Sequence, residues 1–444
     1  MMAYTVTKST SWFERLGSSF RGIVTGLILI VVGTALLWWN EGNFVQTGDA
    51  LTEAQGVTQE LGDISMLNTS MNGQLVHATG DAKTEDILTD PILGVSVNAI
   101  RLERTVEFYQ WVEHSREEKR QKLGGGEETV TTYTYEQEWV SSPVSSDQFM
   151  DPDAVKQKRN FVLSNLENVK IQANNVSFGA YRLPEFLISS ISGATPLAVS
   201  LSDEVKTSLN QEIRLALSAV HNTSGVATQP TQQTSTDAFG QLYARAQEQK
   251  TQTISPEQDL VHVRDNTVIF STSPGVPQIG DVRITFTKVL PGTVSILAKV
   301  IGDTFEQYQA ANGKTVSQLS MGTHSLENMY GDAHSANTTM TWILRFVGVV
   351  VIIIGLKMVL APLAVVASVI PLLGSIVGAG SGLASTLLGT AWSLIVIAIA
   401  WLRFRPIIGG AMVLAAGVLI AIVIMKGRGK NALVSDSETP APKV

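Results

Sequence analysis

The chain has 444 residues, a formal net charge of −7 and no cysteine. An acidic balance argues against a nucleic-acid binder, which carries a basic patch, and the missing thiols exclude disulfides, thiolate zinc sites, iron–sulfur clusters and cysteine nucleophiles. The charged fraction of 16% lies below the globular average of about 25%, because long apolar segments dilute it.

Residues 1–21 make a polar lead in which Trp12, Phe13, Leu16 and Phe20 fall near one helical face. The expected element is a short interfacial helix on the cytoplasmic side. Residues 22–39 hold no charge and are long enough for one span at ~1.5 Å per residue. Lys8, Arg15 and Arg21 precede this span, and Glu41, Asp49, Glu53 and Glu60 follow it. The positive-inside rule keeps the N-terminus cytoplasmic and exports what comes next. The span ends in Leu36-Leu37-Trp38-Trp39 rather than in a small-x-small cleavage site, so it reads as an uncleaved anchor with an aromatic belt.

Residues 40–340 are polar, with no span-length apolar run. They read as a β-rich non-cytoplasmic domain of one or two modules. Val45 to Gly62 is helix-like, and strand signals follow at 74–78 and 95–100. Arg101–Glu113 and Val130–Val140 are dense in aromatic and β-branched residues, and should pair as an antiparallel hairpin. His114–Glu128, with Gly124, Gly125 and Gly126, reads as its long mobile tip. Helices are expected after Asp151 and over 200–220, where Leu209, Ile213, Leu217 and Val220 form a stripe. Residues 221–257 are a polar insert. Strands return at 260–264, 268–271, 282–289 and 293–301, the last two joined at Pro291-Gly292. A helix over 325–330 brings the chain back to the membrane.

Residues 341–363 form a second span with Arg345 and Lys357 towards its ends, where long cations snorkel. Residues 364–385 are apolar but carry Pro371 and several glycines, and are read as a re-entrant or interfacial segment. Residues 387–402 and 406–425 are the third and fourth spans, and 426–444 a disordered cytoplasmic tail. The alternative counts 364–385 as a fifth span and moves the C-terminus outside; the basic run at 426–430 argues against it. Arg403 and Arg405 then fall on the exported side, against the charge rule. The fold class is therefore α+β: a helical transmembrane bundle of four spans with a large β-rich exported domain.

Chemistry-bearing motifs are sparse. The six histidines show no HExxH or similar metal spacing, and there is no GxSxG elbow, P-loop or dinucleotide fingerprint. No metal, cofactor or catalytic residue is assigned. His77 reads as a satisfied strand histidine. Glu41, at the membrane exit, is expected to pair with Arg345 across the outer interface; an ordinary polar flank with a helix-ending Gly42 is the alternative. Gly22 and Gly26, and Gly374, Gly378 and Gly382, have the small-xxx-small spacing that lets helix backbones approach.

Several segments together resemble the LUMA family of four-pass membrane proteins. They are Ser11-Trp12-Phe13 through Arg21-Gly22, Trp39-Asn40-Glu41-Gly42, and Asn72-Gly73-Gln74-Leu75-Val76-His77. Further along are Glu107-Phe108-Tyr109-Gln110-Trp111-Val112-Glu113, Tyr133-Thr134-Tyr135 to Trp139, and Gly280-Asp281-Val282-Arg283-Ile284. The resemblance implies a domain in the endoplasmic-reticulum lumen or perinuclear space of a eukaryote, or the periplasm of a bacterium. It implies a membrane-organising scaffold and supplies no catalytic residues. The expected function is non-enzymatic organisation of a membrane compartment, with membrane lipids and protein partners or a second copy as its partners. The alternative is lipid handling through the 364–385 segment, with transport and hydrolysis ranked below. A large exported domain without cysteine points to a bacterial inner membrane.

Overall fold

The computed structural model describes residues 3–224 and 258–407, with 409–411 and 414. The expected span at 406–425 and the tail at 426–444 fall wholly or largely outside these residues, as does most of the 221–257 insert. The helices are α1 (Trp12–Val57), α2 (Pro152–Gln157), α3 (Glu185–Ile188), α4 (Asp203–Ser224), α5 (Leu326–Ala367) and α6 (Pro371–Phe404). The strands, in order, are β1 (Tyr4–Thr10), β2 (Gln59–Glu60), β3 (Leu75–Thr84), β4 (Ile87–Thr89), β5 (Ser96–Asn98), β6 (Arg101–Gln121), β7 (Glu127–Val140) and β8 (Val169–Gln172). Then come β9 (Val176–Phe178), β10 (Tyr181–Arg182), β11 (Ala194–Pro196), β12 (Val261–Arg264), β13 (Thr267–Phe270), β14 (Val282–Val289), β15 (Gly292–Ile301), β16 (Thr304–Glu306), β17 (Tyr308–Gln309), β18 (Thr315–Val316) and β19 (Gln318–Met321).

Among the described residues, three helices are long and apolar enough to cross a membrane: α1, α5 and the Gly374–Phe404 part of α6. Their outward apolar side chains, such as Val31 and Phe346, are more than half exposed, which is a lipid-facing surface. α1 begins at an S-x-x-E capping box, where the Ser11 hydroxyl accepts the Glu14 N–H at 3.2 Å. It then runs unbroken for 46 residues, about 69 Å. The interfacial lead and the helix expected from Val45 are thus its two ends rather than separate elements. Ahead of it, residues 4–10 form a strand.

The second membrane part differs from expectation. α5 continues through Pro362 to Ala367, and α6 runs from Pro371 to Phe404. The segment at 364–385 is therefore split by a short turn at 368–370, and the supposed separate span at 387–402 is the second half of α6. Pro371 sits in the first turn of α6, where its missing N–H costs nothing. It starts a helix instead of breaking one.

The β-rich domain packs two largely antiparallel sheets face to face. One has the order β1-β7-β6-β14-β13-β12, with β8 on β6 and β11 on β14; the other has β10-β9-β3-β15-β16, with β2 on β3 and β19 on β15. Period-two strands point Val106, Phe108, Val282, Ile284 and Phe286 inward from the first sheet, against Val76, Ala78, Ile296 and Ala298 of the second. α4 closes the core with Leu209, Ile213 and Leu217. A second cluster joins Ala50, Leu51 and Ala54 of α1 to Leu75, Leu297, Met329 and Tyr330. The domain is thus built directly onto the ends of α1 and α5.

The β6–β7 hairpin is longer than the sequence suggests. Its register runs from Phe108↔Val140 to Gln121↔Glu127, so 114–121 and 127–128 are strand and only 122–126 form the tip. The tip is held down. β1 adds a third strand along β7, Arg15 pairs with Glu127 at 3.3 Å, and the Gly124 N–H donates to the Val369 carbonyl at 3.2 Å.

Candidate functional site at the membrane junction

Where the bundle meets the domain, three helices converge on one carboxylate. Glu41, in the middle of α1, is 1% exposed. Arg345 of α5 donates to it in a fork, Nε to Oε1 at 2.6 Å and Nη2 to Oε2 at 2.7 Å. Trp401 of α6 donates its indole N–H to Oε2 at 2.8 Å. The guanidinium lies over the Trp342 ring at 4.7 Å and the Trp401 ring at 5.9 Å. A planar cation between aromatic faces and a bidentate carboxylate is the geometry in which arginine, not lysine, is preferred.

The neighbouring residues complete the junction. The Asn40 amide donates to the Thr341 carbonyl at 3.2 Å. Gly42 does not end the helix; a Cβ there would meet Phe404 Cζ at 2.7 Å, so glycine is what lets the ring seat. Arg405 lies over Phe44 at 5.4 Å, which puts this cation, just after α6, at the domain end of the bundle. Both oxygens of Glu41 are engaged, so the arrangement clamps helices together and offers no free base.

The structure thus brings Glu41 and Arg345 together, but it uses the glycines differently. A Cβ on Gly26 would lie 2.6 Å from the Gly355 carbonyl, and one on Gly355 would lie 2.7 Å from the Gly26 carbonyl. Gly33 and Gly348 form a second close approach, against Ile352 and Leu37. Gly22 makes only an ordinary contact with Met358 at 3.9 Å; Gly374 sits against Ser368 of the α5–α6 turn, and Gly378 and Gly382 have nothing within 4 Å. The true seam repeats every seven residues on both helices, the spacing that keeps one face on a partner. Seven-residue spacing of Gly26 with Gly33, and of Gly348 with Gly355, was the signal to read. Trp401 and Phe404 were also missed; an aromatic pair at a span end, like Trp38-Trp39, marks the same interface.

At the hairpin root, the aromatic strand meets the Gly280–Ile284 segment. Arg283 Nη2 pairs with Glu107 at 2.8 Å and its guanidinium lies 4.3 Å over the Trp139 ring. Asp281 Oδ2 accepts from the Ser271 hydroxyl at 2.8 Å and the Gln278 N–H at 2.9 Å. Burial pushes this carboxyl up to about 6, against those two hydrogen bonds and the nearby His262. His77 is buried with both ring nitrogens engaged, by Glu60 at 2.7 Å and the His324 carbonyl at 2.9 Å.

Comparison with known proteins follows the same segments. A family described as Transmembrane protein 43 matches residues 108–406. Rat Transmembrane protein 43 is 25% identical over 427 residues, covering 94% of this chain and 92% of its own length. The human protein of that name is 24% identical with the same coverage, and a fruit-fly homolog is 26% identical over 413 residues, 90% of this chain and 94% of its own. No solved structure matches the chain. These relatives are all animal proteins, so the expectation of a bacterial inner membrane draws no support from them. The chain belongs to the Transmembrane protein 43 family, the LUMA family of the sequence resemblance, and is an integral membrane protein with several apolar helices.

Proposed function

We propose that the protein organises a membrane compartment without catalysing a reaction, by holding its β-rich domain in a fixed pose on the bilayer for protein partners or further copies of itself. One observation carries this reading: α1 and α5 pass from the bundle into the domain without interruption, and the buried Glu41–Arg345–Trp401 clamp locks them where they cross the interface. A scaffold needs a rigid presentation, and this junction provides it. The domain lies on the non-cytoplasmic side and the basic run at 426–430 on the cytoplasmic side. Lipid handling through the 364–385 segment is the second reading; there the break is the short turn at 368–370, ahead of a helix that runs on from Pro371.

Two measurements test the proposal. Protease protection in sealed vesicles with a C-terminal tag should leave the tag cleavable and the domain protected. Purification in native nanodiscs should retain the same protein partners or copies for the full chain, and lose them when the clamp is opened by Arg345→Ala. Retention of identical partners by the opened variant counts against the rigid-scaffold reading.

A further inference from the structure

The outer half of the β6–β7 hairpin is a polar sheet at the depth of the apolar helices. Its root is in the domain, where Phe108 pairs with both Val140 and Val282. Its tip is at the opposite end of the bundle, against Arg15, Val369 and the Trp12 ring. From Phe108 to Gln121 is about 43 Å of strand, and from Arg15 to Glu41 is about 39 Å of helix. The lengths match, so the paired strands run beside the whole uncharged belt of α1.

What the strands carry there is unsuited to hydrocarbon. Arg116, Glu117, Glu118, Lys119 and Arg120 of β6 are all exposed, and the facing parts of β7 and β1 are rich in threonine. Beyond Trp111, whose backbone is still met by Asn160, β6 is one edge of the sheet and β1 the other, so each presents backbone N–H and C=O groups that no strand satisfies. Such backbone is tolerated at membrane depth only when buried in protein or lining a wet cavity. The polar contacts between the sheet and the bundle cluster at the tip among the described residues, and residues 114–121 of β6 with Thr5, Thr7, Lys8 and Ser9 of β1 are exposed, so both edges are open.

We propose that this sheet is a hydrated track along which phospholipid headgroups pass between the two leaflets. Side chains two apart share a face, so Arg116, Glu118 and Arg120 alternate in sign on one side, and Glu117 and Lys119 on the other. A zwitterionic headgroup has the matching pair of charges: its phosphate meets a cation and its ammonium the next carboxylate, while the acyl chains stay in the surrounding hydrocarbon. The activity goes beyond the scaffold reading and stands or falls separately from it.

The test is a dithionite bleaching assay on the full chain, reconstituted into vesicles with a trace of fluorophore-labelled phosphatidylcholine. Without protein, only the outer leaflet bleaches. With it, the inner leaflet should bleach too, at a rate on the order of tenfold or more above protein-free vesicles. Changing Arg116, Glu118, Lys119 and Arg120 together to Thr, a strand former, should abolish the gain. These positions are exposed, and the one ion pair among them is the surface Arg120–Glu118 contact. Arg116→Lys with Lys119→Arg should retain it. Since the chain has no cysteine, Ser115→Cys provides a single thiol at mid-depth that should react with a membrane-impermeant maleimide. Outer-leaflet bleaching alone with the wild-type chain, full activity in the four-fold Thr variant, or an unreactive thiol would each overturn the proposal. So would an efficient disulfide between copies carrying Thr7→Cys and Glu118→Cys, which would show the edges covered by a second copy.

Discussion

Replacing Arg345 with alanine leaves Glu41 buried with its charge and only the Trp401 indole as a partner. The carboxylate is 1% exposed and loses two hydrogen bonds of 2.6 and 2.7 Å. Removing one partner of a buried pair costs about 3–5 kcal/mol, because the remaining charge is uncompensated. A change of that size lowers Tm by roughly 6–20 °C at the 2–4 °C per kcal/mol expected of a large domain. The measurement is thermal unfolding in lipid nanodiscs, read by intrinsic tryptophan fluorescence. The matching control is Glu41→Gln with Arg345→Met, which removes both charges and keeps the volumes. If the cost is the orphaned charge, the double variant is more stable than Arg345→Ala alone, and the pair shows a coupling of about 0.5–3 kcal/mol in the cycle. An Arg345→Ala protein that unfolds within about 1 °C of wild type would refute the reasoning, since solvent would then be reaching Glu41.

Three further outcomes follow from the same structure. Gly26→Leu or Gly355→Leu forces backbone carbonyls apart at the α1–α5 seam and should cost about 1–3 kcal/mol or more, whereas Gly378→Ala meets open space and should be within about 0.5 kcal/mol; thermal melts of the three side by side decide this. Asp281 binds its proton more tightly folded than unfolded, so its contribution to stability is present below pH ~4 and is lost as pH rises to about 6; denaturation across that range should show the slope in wild type and a flatter profile in Asp281→Asn. Gly125 has φ +83° and its Cβ position is filled by the Trp12 ring, so Gly125→Ala should release the hairpin tip at a cost of about 1–3 kcal/mol, seen as faster amide exchange in β1 and residues 115–133 with the domain core unchanged.

The sheets were legible because their strands have a period of two and one wet face: Val282, Ile284 and Phe286 point inward as the alternation says. The helix at 200–220 was legible for the same reason at a period near four. The hairpin tip was misread because charge in a window signals exposure, not the lack of hydrogen bonds; β6 is exposed at 114–121 and still paired throughout. The α5–α6 turn was misplaced because local composition does not say on which side of Pro371 a helix lies. Sequence order placed Glu41 and Arg345 at the same interface, since each lies at the end of a span. The third member, Trp401, was hidden by the assumption that 387–402 was a short span on its own. Backbone approaches such as Gly26 on Gly355 depend on which helices meet, and that information is tertiary.

The unbroken run of α1 makes it a lever as well as an anchor. Beyond Trp39 it continues to Val57, about 27 Å outside the apolar belt. Bilayers of different thickness are met chiefly by changes in helix tilt, which ranges over tens of degrees. A change of about 10° swings the far end by about 5 Å, and the clamp at Glu41 leaves no joint to absorb it. Membrane thickness is thereby converted into the position of the β-rich domain, so two membranes of unequal thickness present the same domain at different angles.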